Sequence, residues 1–311
     1  MTRRLCVAFL GNDRWSVPSL EALAASVHRI AGVVTAAPKP AGRGNEPTPT
    51  AVGEAARRLG LPLSEVETVR TGPGFEALAA MTPDVLAVVA YGELLPPAVL
   101  ELPSIAPVNL HFSLLPELRG ASPVQTALLR GFERTGVTTI VMDEGLDTGP
   151  VLEQREEAIR PEDDAGTLGA RLAILGAEAL VGSIDGLASD PLTPIPQDEA
   201  RATFAPRLGP RDRELDWSAP SRSLVDRIRA LSPEPAAVTS FRSHPLKLFR
   251  AEAVGGGGEP GALIEVTKDG FVVGTGHGGL RPLELAPAGR RRMSGRDFVN
   301  GYRPLVGERL G

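Results

Sequence analysis

Six consecutive apolar residues, Val85-Leu86-Ala87-Val88-Val89-Ala90, set the first limit on the fold. Side chains of a strand leave alternately to its two faces, so a run with no polar residue on either face needs cover above and below. Such a strand belongs at the centre of a parallel sheet, between two layers of helices. Two similar runs, Leu5 to Leu10 and Ile30 to Val34, flank a segment of helical spacing from Val17 to Ala25, which is the strand, helix, strand opening of an α/β fold. The expectation is a Rossmann-like, doubly wound, mostly parallel sheet. Helices are expected over Ala51–Leu59, Gly74–Met81, Pro97–Glu101 and Gly166–Leu180, and strands over Pro107–Leu110 and Val151–Ile159.

The pattern then changes. From Gly186 to Pro210 the chain is rich in Pro, Asp and Ser and has no periodicity, the mark of a boundary between domains. Beyond it lie an amphipathic helix, Ser221–Leu231, and five short β-type runs: Ala237–Phe241, Leu246–Val254, Gly261–Val266, Gly270–Thr275 and Leu280–Leu285. Short strands at this spacing suggest a small OB-like β-barrel, with a last helix over Ser294–Asn300. The expected division is 1–185 as a catalytic domain, 186–206 as a linker and 207–311 as a barrel domain. Charge divides at the same place. Residues 1–206 carry 16 Lys and Arg against 26 Asp and Glu, net −10, while residues 207–311 carry 17 against 12, net +5. A basic domain on an acidic body suits a polyanion held in one orientation, although chance surface composition gives the same sums.

Several chemistries are excluded. Gly11 stands alone after the first strand, without the G-x-G-x-x-G of a dinucleotide site, and neither a P-loop nor a G-x-S-x-G or H-E-x-x-H motif occurs. The single cysteine, Cys6, makes no intrachain disulfide and no zinc site by itself, so no metal is expected. Leu5 to Leu10 is too short for a signal-peptide core, and no run reaches the roughly 20 apolar residues of a membrane span. A cytoplasmic protein without membrane attachment is expected. Residues 36–50, AAPKPAGRGNEPTPT, are too broken by Pro and Gly for regular structure and read as a long loop. Its two cations, Lys39 and Arg43, either face solvent or contact a phosphate-bearing partner.

The stretch from Val108 to Pro150 concentrates reactive residue types in a chain with only four histidines. Asn109 and His111 are two apart, so on an extended backbone an amide and an imidazole enter the same volume. The amide can donate to a developing oxyanion, and the imidazole can donate or accept a proton near neutral pH. Asp147 lies between Gly145 and Gly149, where a carboxylate can orient the histidine or take a proton from a nucleophile. The three have the parts for acyl transfer without a side-chain nucleophile. Each also has a structural alternative: Asn109 as a turn cap, His111 as a core histidine, Asp147 as an Asx turn.

The order of residues goes further than the spacing. Asn109-Leu110-His111-Phe112-Ser113-Leu114-Leu115-Pro116, Arg119-Gly120-Ala121-Ser122-Pro123, Thr135-Gly136-Val137-Thr138 and Met142-Asp143-Glu144-Gly145-Leu146-Asp147-Thr148-Gly149 together resemble the formyltransferase family that uses 10-formyltetrahydrofolate. Pro40-Ala41-Gly42-Arg43-Gly44, Leu215-Asp216-Trp217 and Arg291-Arg292-Met293-Ser294 extend the likeness over nearly the whole chain, to the branch that formylates methionyl-initiator tRNA. The resemblance implies that Asn109, His111 and Asp147 are catalytic and that Ser113, Leu114, Leu115, Pro116, Tyr91 and Asp143 border the folate. It also implies that Arg43, Lys39, Arg290, Arg291 and Arg292 meet tRNA, that the barrel holds the tRNA, and that the protein is a monomer. Related enzymes that formylate a sugar-nucleotide amine or hydrolyse formyltetrahydrofolate are the alternatives, as is a tRNA-binding protein without catalysis. The chain departs from the family pattern at Asn12-Asp13, where Gly-Thr-Pro is usual after the first strand, and at Phe112, Glu117 and Glu234.

Overall fold

The computed structural model describes residues 3–41, 46–189 and 193–311. The chain divides into two compact units, the first comprising Met1–Pro123, Arg134–Ala158 and Gly169–Pro206, the second Val124–Glu133, Ile159–Leu168 and Arg207–Gly311. Chain order runs β1 (Cys6–Gly11), α1 (Val17–Ala25), β2 (Arg29–Ala36), β3 (Lys39–Ala41), β4 (Glu46–Thr48), α2 (Ala51–Arg58), β5 (Leu63–Val66), α3 (Gly72–Ala80), β6 (Val85–Val89), α4 (Pro97–Leu100), β7 (Ala106–His111), α5 (Pro123–Leu129), β8 (Arg134–Val141), β9 (Val151–Ala158) and α6 (Ala165–Ser189).

Seven strands of the first unit form one sheet in the order β5-β2-β1-β6-β7-β8-β9. The five from β5 to β7 are parallel, and β8 runs antiparallel to both β7 and β9. The all-apolar run is the core of this sheet: every residue of β6 is buried, and β1 beside it is buried from Val7 onward. From β1 the chain winds outward through β2 and β5, then returns to β6 and winds the other way, so the order reverses between β1 and β6. At such a reversal the connections leave in opposite directions and open a crevice beyond the strands' carboxyl ends. Asn12, the residue after β1, ties that edge together. Its amide nitrogen donates to the Tyr91 carbonyl beyond β6. Its amide oxygen accepts from the Ala36 backbone at 2.7 Å and the Thr35 hydroxyl at 2.9 Å, both on β2. An Asn at this departure from the family pattern thus bonds the ends of β2 and β6 to the end of its own strand.

Three expectations change. Residues 36–50 are not wholly a loop, since β3 and β4 pair antiparallel with Lys39 opposite Thr48 and Pro40 opposite Pro47. A two-stranded ribbon consists only of edges, where proline's missing N–H is tolerated. Arg43 lies outside the described residues. Second, α6 continues past Leu180 to Ser189 and, by length and composition, it is long and apolar enough to cross a membrane. Its apolar side nonetheless lies in the protein core through Leu172, Ala173, Leu180 and Ile184, and its polar side carries Arg171 and Glu178, paired with Glu157 and Arg155 at 2.9 and 2.8 Å. That distribution is the amphipathic pattern of a core helix. Third, residues 193–206, expected as linker, belong to the first unit and bond to its loops, as described below.

The second unit contains α7 (Ser221–Leu231), β10 (Ala237–Phe241), β11 (His244–Val254), β12 (Leu263–Thr267), β13 (Gly270–Gly274), β14 (Gly279–Pro287), β15 (Met293–Ser294) and α8 (Gly295–Tyr302). Its sheet runs β10-β11-β14-β13-β12, with β15 beside β14. The two outer strands are joined by the last residues of the chain, because Leu310 pairs with Phe241 at the end of β10 and Arg309 with Ala262 just before β12. This closes the sheet into a barrel, which leaves no row of unpaired edge groups there. The buried interior includes Trp217, Leu248, Phe271 and Leu285, with the α8 residue Phe298 set 5.3 Å from both Phe241 and Phe271.

Candidate active site

Strand β7 delivers Asn109 and His111 to one place because side chains two apart share a face. His111 is 6% exposed. Its Nε2 donates to the Leu118 carbonyl at 2.9 Å, which leaves Nδ1 facing the Asp147 carboxylate, 3.6 Å from Oδ2. The Asn109 amide nitrogen lies 3.5 Å from the other carboxylate oxygen, Oδ1. The carboxylate therefore presents one oxygen to each partner, and amide and imidazole converge on it. The Leu118 carbonyl, which can only accept, fixes Nε2 as the donor on that side of the ring.

The loop from Asp143 to Gly149 sets Asp147 in a left-handed conformation, φ 56°, uncommon for a residue with a side chain. Several bonds hold it there. Asp143 caps its own turn, accepting from the Gly145 backbone at 3.0 Å and the Thr148 hydroxyl at 2.6 Å. The Gly120 backbone N–H donates to Asp147 Oδ2 at 2.8 Å. Gly120 has φ 119°, and a Cβ there would lie 2.7 Å from the Ala205 carbonyl oxygen, so no other residue fits without a shift. A Cβ on Gly149 would sit 1.8 Å from the Val141 carbonyl oxygen, which likewise excludes a side chain where the loop rejoins the sheet.

Beneath this loop lies an arginine that spacing alone does not single out. Arg119 is 2% exposed, and its guanidinium donates to Gln197 Oε1 at 2.8 and 3.1 Å and to both Glu199 oxygens at 2.9 and 2.7 Å. The Glu199 bonds, and then the nearby Asp147 and Asp143 charges, push its pKa up against the opposing effect of burial. The Gln197 amide nitrogen donates to the carbonyls of Asp147 and Gly149 at 2.8 and 2.7 Å. Residues 203–205 run alongside the Arg119 loop, with bonds from Arg119 N to Thr203 O and from Ala205 N to Arg119 O, each 2.8 Å. The sequence holds no signal for Gln197 or Glu199, which sit in a stretch without periodicity. Arg119, bracketed by Leu118 and Gly120, is the one hint.

The residues expected to border the folate occupy two layers. Leu114 is half-buried and Asp143 exposed. Ser113, Leu115, Pro116 and Tyr91 are buried, and the Ser113 hydroxyl donates to the Glu117 carbonyl at 2.6 Å. Thr138 and Gln154 brace this turn: the Thr138 hydroxyl donates to the Ser113 carbonyl at 2.7 Å, and the Gln154 amide donates to the Leu115 carbonyl at 2.6 Å. Burial first, then the neighbouring Glu93 carboxylate, raise the pKa of the Tyr91 hydroxyl well above that of a free tyrosine. Among the expected RNA contacts, Lys39 is exposed on β3 and Arg290 to Arg292 are exposed before β15. Arg292 is already engaged, over the Phe249 ring at 3.7 Å and to the Pro233 carbonyl at 3.2 Å. Of the departures, Phe112 packs near Trp15 with ring centroids 5.9 Å apart, and Glu117 pairs with Arg201 at 3.3 Å.

An amide, an imidazole and a carboxylate meet at the end of an open α/β sheet, in a chain that also carries a basic barrel, and such a donor and base set suits acyl transfer. The formyl transferase family model matches residues 3–184, and the model of the formyl transferase C-terminal domain matches residues 207–303. The chain belongs to the formyl transferase family. A methionyl-tRNA formyltransferase from Acidithiobacillus ferrooxidans is 40% identical over 313 residues, covering 100% of both chains, and one from Methylococcus capsulatus is 41% identical, covering 98% of this chain and 99% of its own. Among solved structures, an N-formyltransferase from Helicobacter canadensis in complex with folinic acid and dTDP-3-aminofucose has a TM-score of 0.66 at 17% identity, over 91% of this chain and 99% of its own. That likeness is one of fold.

Proposed function

We propose that the chain transfers the formyl group of 10-formyltetrahydrofolate to the free amino group of methionyl-initiator tRNA, giving the N-formyl ester used in translation initiation. The observation that carries this reading is the convergence of Asn109, His111 and Asp147 on one space, in a chain whose full-length relatives bear that activity in their names. The donor set suits a formyl carbonyl: two N–H groups face a common space beside a carboxylate. In the reaction the amine nitrogen bonds to the formyl carbon, charge collects on the formyl oxygen, and the bond to the folate nitrogen breaks. Asn109 Nδ2 and His111 Nδ1 donate to that oxygen, the role in which fixed donors lower a barrier most. The Leu118 carbonyl holds the ring in place, and Asp147 takes the proton that the attacking amine gives up, while the folate nitrogen gains a proton as it departs, so no net proton is consumed.

Leu114 and Asp143 border the folate, with Ser113, Leu115, Pro116 and Tyr91 forming the wall behind them. The 207–311 domain with its net +5, together with Lys39, Arg43 and Arg290 to Arg292, holds the tRNA. The protein acts as a cytoplasmic monomer without a membrane partner, and the first unit, residues 193–206 included, carries the catalysis. The test is incubation with 10-formyltetrahydrofolate and charged initiator or elongator methionyl-tRNA, followed by mass analysis of the aminoacyl ester. A gain of one formyl group on the initiator ester is expected. Formate released without tRNA would mean a hydrolase, formylation of an amino-sugar nucleotide instead would mean a sugar enzyme, and tRNA binding without any product would mean a binding protein.

A further inference from the structure

The bonds around Asp147 form a chain that starts outside the catalytic trio. Arg119 carries only donors, so the Gln197 atom facing it must be the amide oxygen. The Gln197 nitrogen then has to face the two backbone carbonyls, Asp147 O and Gly149 O, which only accept. Each contact fixes the orientation of the next, with no alternative flip of the amide. Asp147 sits at φ 56°, a conformation that its surroundings must impose. The Gly120 bond acts on its side chain, whereas Gln197 acts on the backbone either side of Thr148. Glu199 completes the anchor by bonding the other edge of the Arg119 guanidinium.

We infer that Gln197 is a positioning residue for catalysis, a clamp that transmits the fixed orientation of buried Arg119 to the Asp147–Gly149 backbone and so aims the Asp147 carboxylate. The role falls to residues that read as linker in the sequence. For its catalytic readout alone, the inference rests on the formyl-transfer reading. Gln197→Glu separates the clamp from its anchor. The glutamate keeps an oxygen for Arg119 but turns a second oxygen toward two carbonyls, losing both donations to the loop. Gln197→Met, similar in size, removes both sides and serves as the second variant.

Two measurements on the full chain decide it. Amide hydrogen exchange over residues 143–149, taken without any substrate, is expected to quicken about tenfold or more in Gln197→Glu, with the melting temperature close to that of the parent. Formylation by both variants is expected to slow about ten- to a hundredfold in kcat, the scale of a misplaced reacting group, with KM for tRNA and for folate within about twofold. A loop that exchanges as in the parent overturns the clamp whatever the rate, and so does a faster-exchanging loop with parental kcat. If the parent chain forms no formylated product, the functional reading fails and the exchange measurement alone decides whether Gln197 holds the loop.

Discussion

Asn109 and His111 owe their convergence to a register: one residue of slip in β7 would turn both side chains to the other face of the sheet. The pairing of Asn109 with Ile140 and of His111 with Thr138 on β8 pins that register. Removing the amide in Asn109→Ala takes away the proposed oxyanion donor, expected to raise the barrier by roughly 3 to 4 kcal/mol while the fold persists. Single-turnover formylation with a circular dichroism control checks it. Asp147→Asn retains the shape of the side chain and an acceptor for Gly120 but removes the proposed base. Its kcat is expected to fall about a hundredfold or more, and turnover at the parental rate would return Asp147 to a plain Asx turn.

Among the elements, the buried strands were legible because their apolar runs leave little choice. β1, β6 and the five main strands of the barrel fall within a few residues of where the runs predict them. What escaped lacks such a signature. β5, Leu-Ser-Glu-Val, is half-polar at the sheet edge, and the β3–β4 ribbon is held by pairing that Pro and Gly disguise. Asn109, His111 and Asp147 could be singled out as chemistry-bearing types, but the Arg119, Gln197 and Glu199 anchor depends on contacts across some eighty residues. Local pattern carries no record of those. The start of β1 is tied to β6 by Asp84, whose carboxylate accepts from Cys6 N and from the Ser104 hydroxyl, each at 2.9 Å. The Cys6 bond above all, then Ser104, Arg3 and Arg29, hold its pKa below the usual aspartate range despite partial burial. A carboxyl whose folded pKa lies below its unfolded value of about 3.9 contributes its full stability above that value and loses it as pH falls through the folded one. Asp84→Ala is expected to cost about 1 to 2 kcal/mol near neutral pH and to make the acid limb of the denaturation profile shallower. Urea titrations at neutral and acid pH test both.

At the scale of the whole molecule, charge is divided, with net −10 over residues 1–206 and net +5 over residues 207–311. If the barrel holds tRNA, KM for tRNA is expected to rise steeply between about 50 and 200 mM salt, since each phosphate contact releases counterions. KM for folate should change little over the same range. Arg43→Ala is expected to raise KM for tRNA and leave folate binding intact, and unchanged tRNA kinetics would assign residues 36–50 to solvent. The barrel also has a history written into it. Its closing pairs join Phe241 to Leu310 and Ala262 to Arg309, so the last stave comes from residues that leave the ribosome after every other strand. Contacts so distant in sequence form slowly, because loop closure must precede any gain from pairing. During synthesis the sheet of the first unit can be complete while the barrel is still an open, sticky curl of strands. Over that interval the outer strands of the barrel lack the pairing that covers them in the finished fold, and open strand edges are templates for other chains.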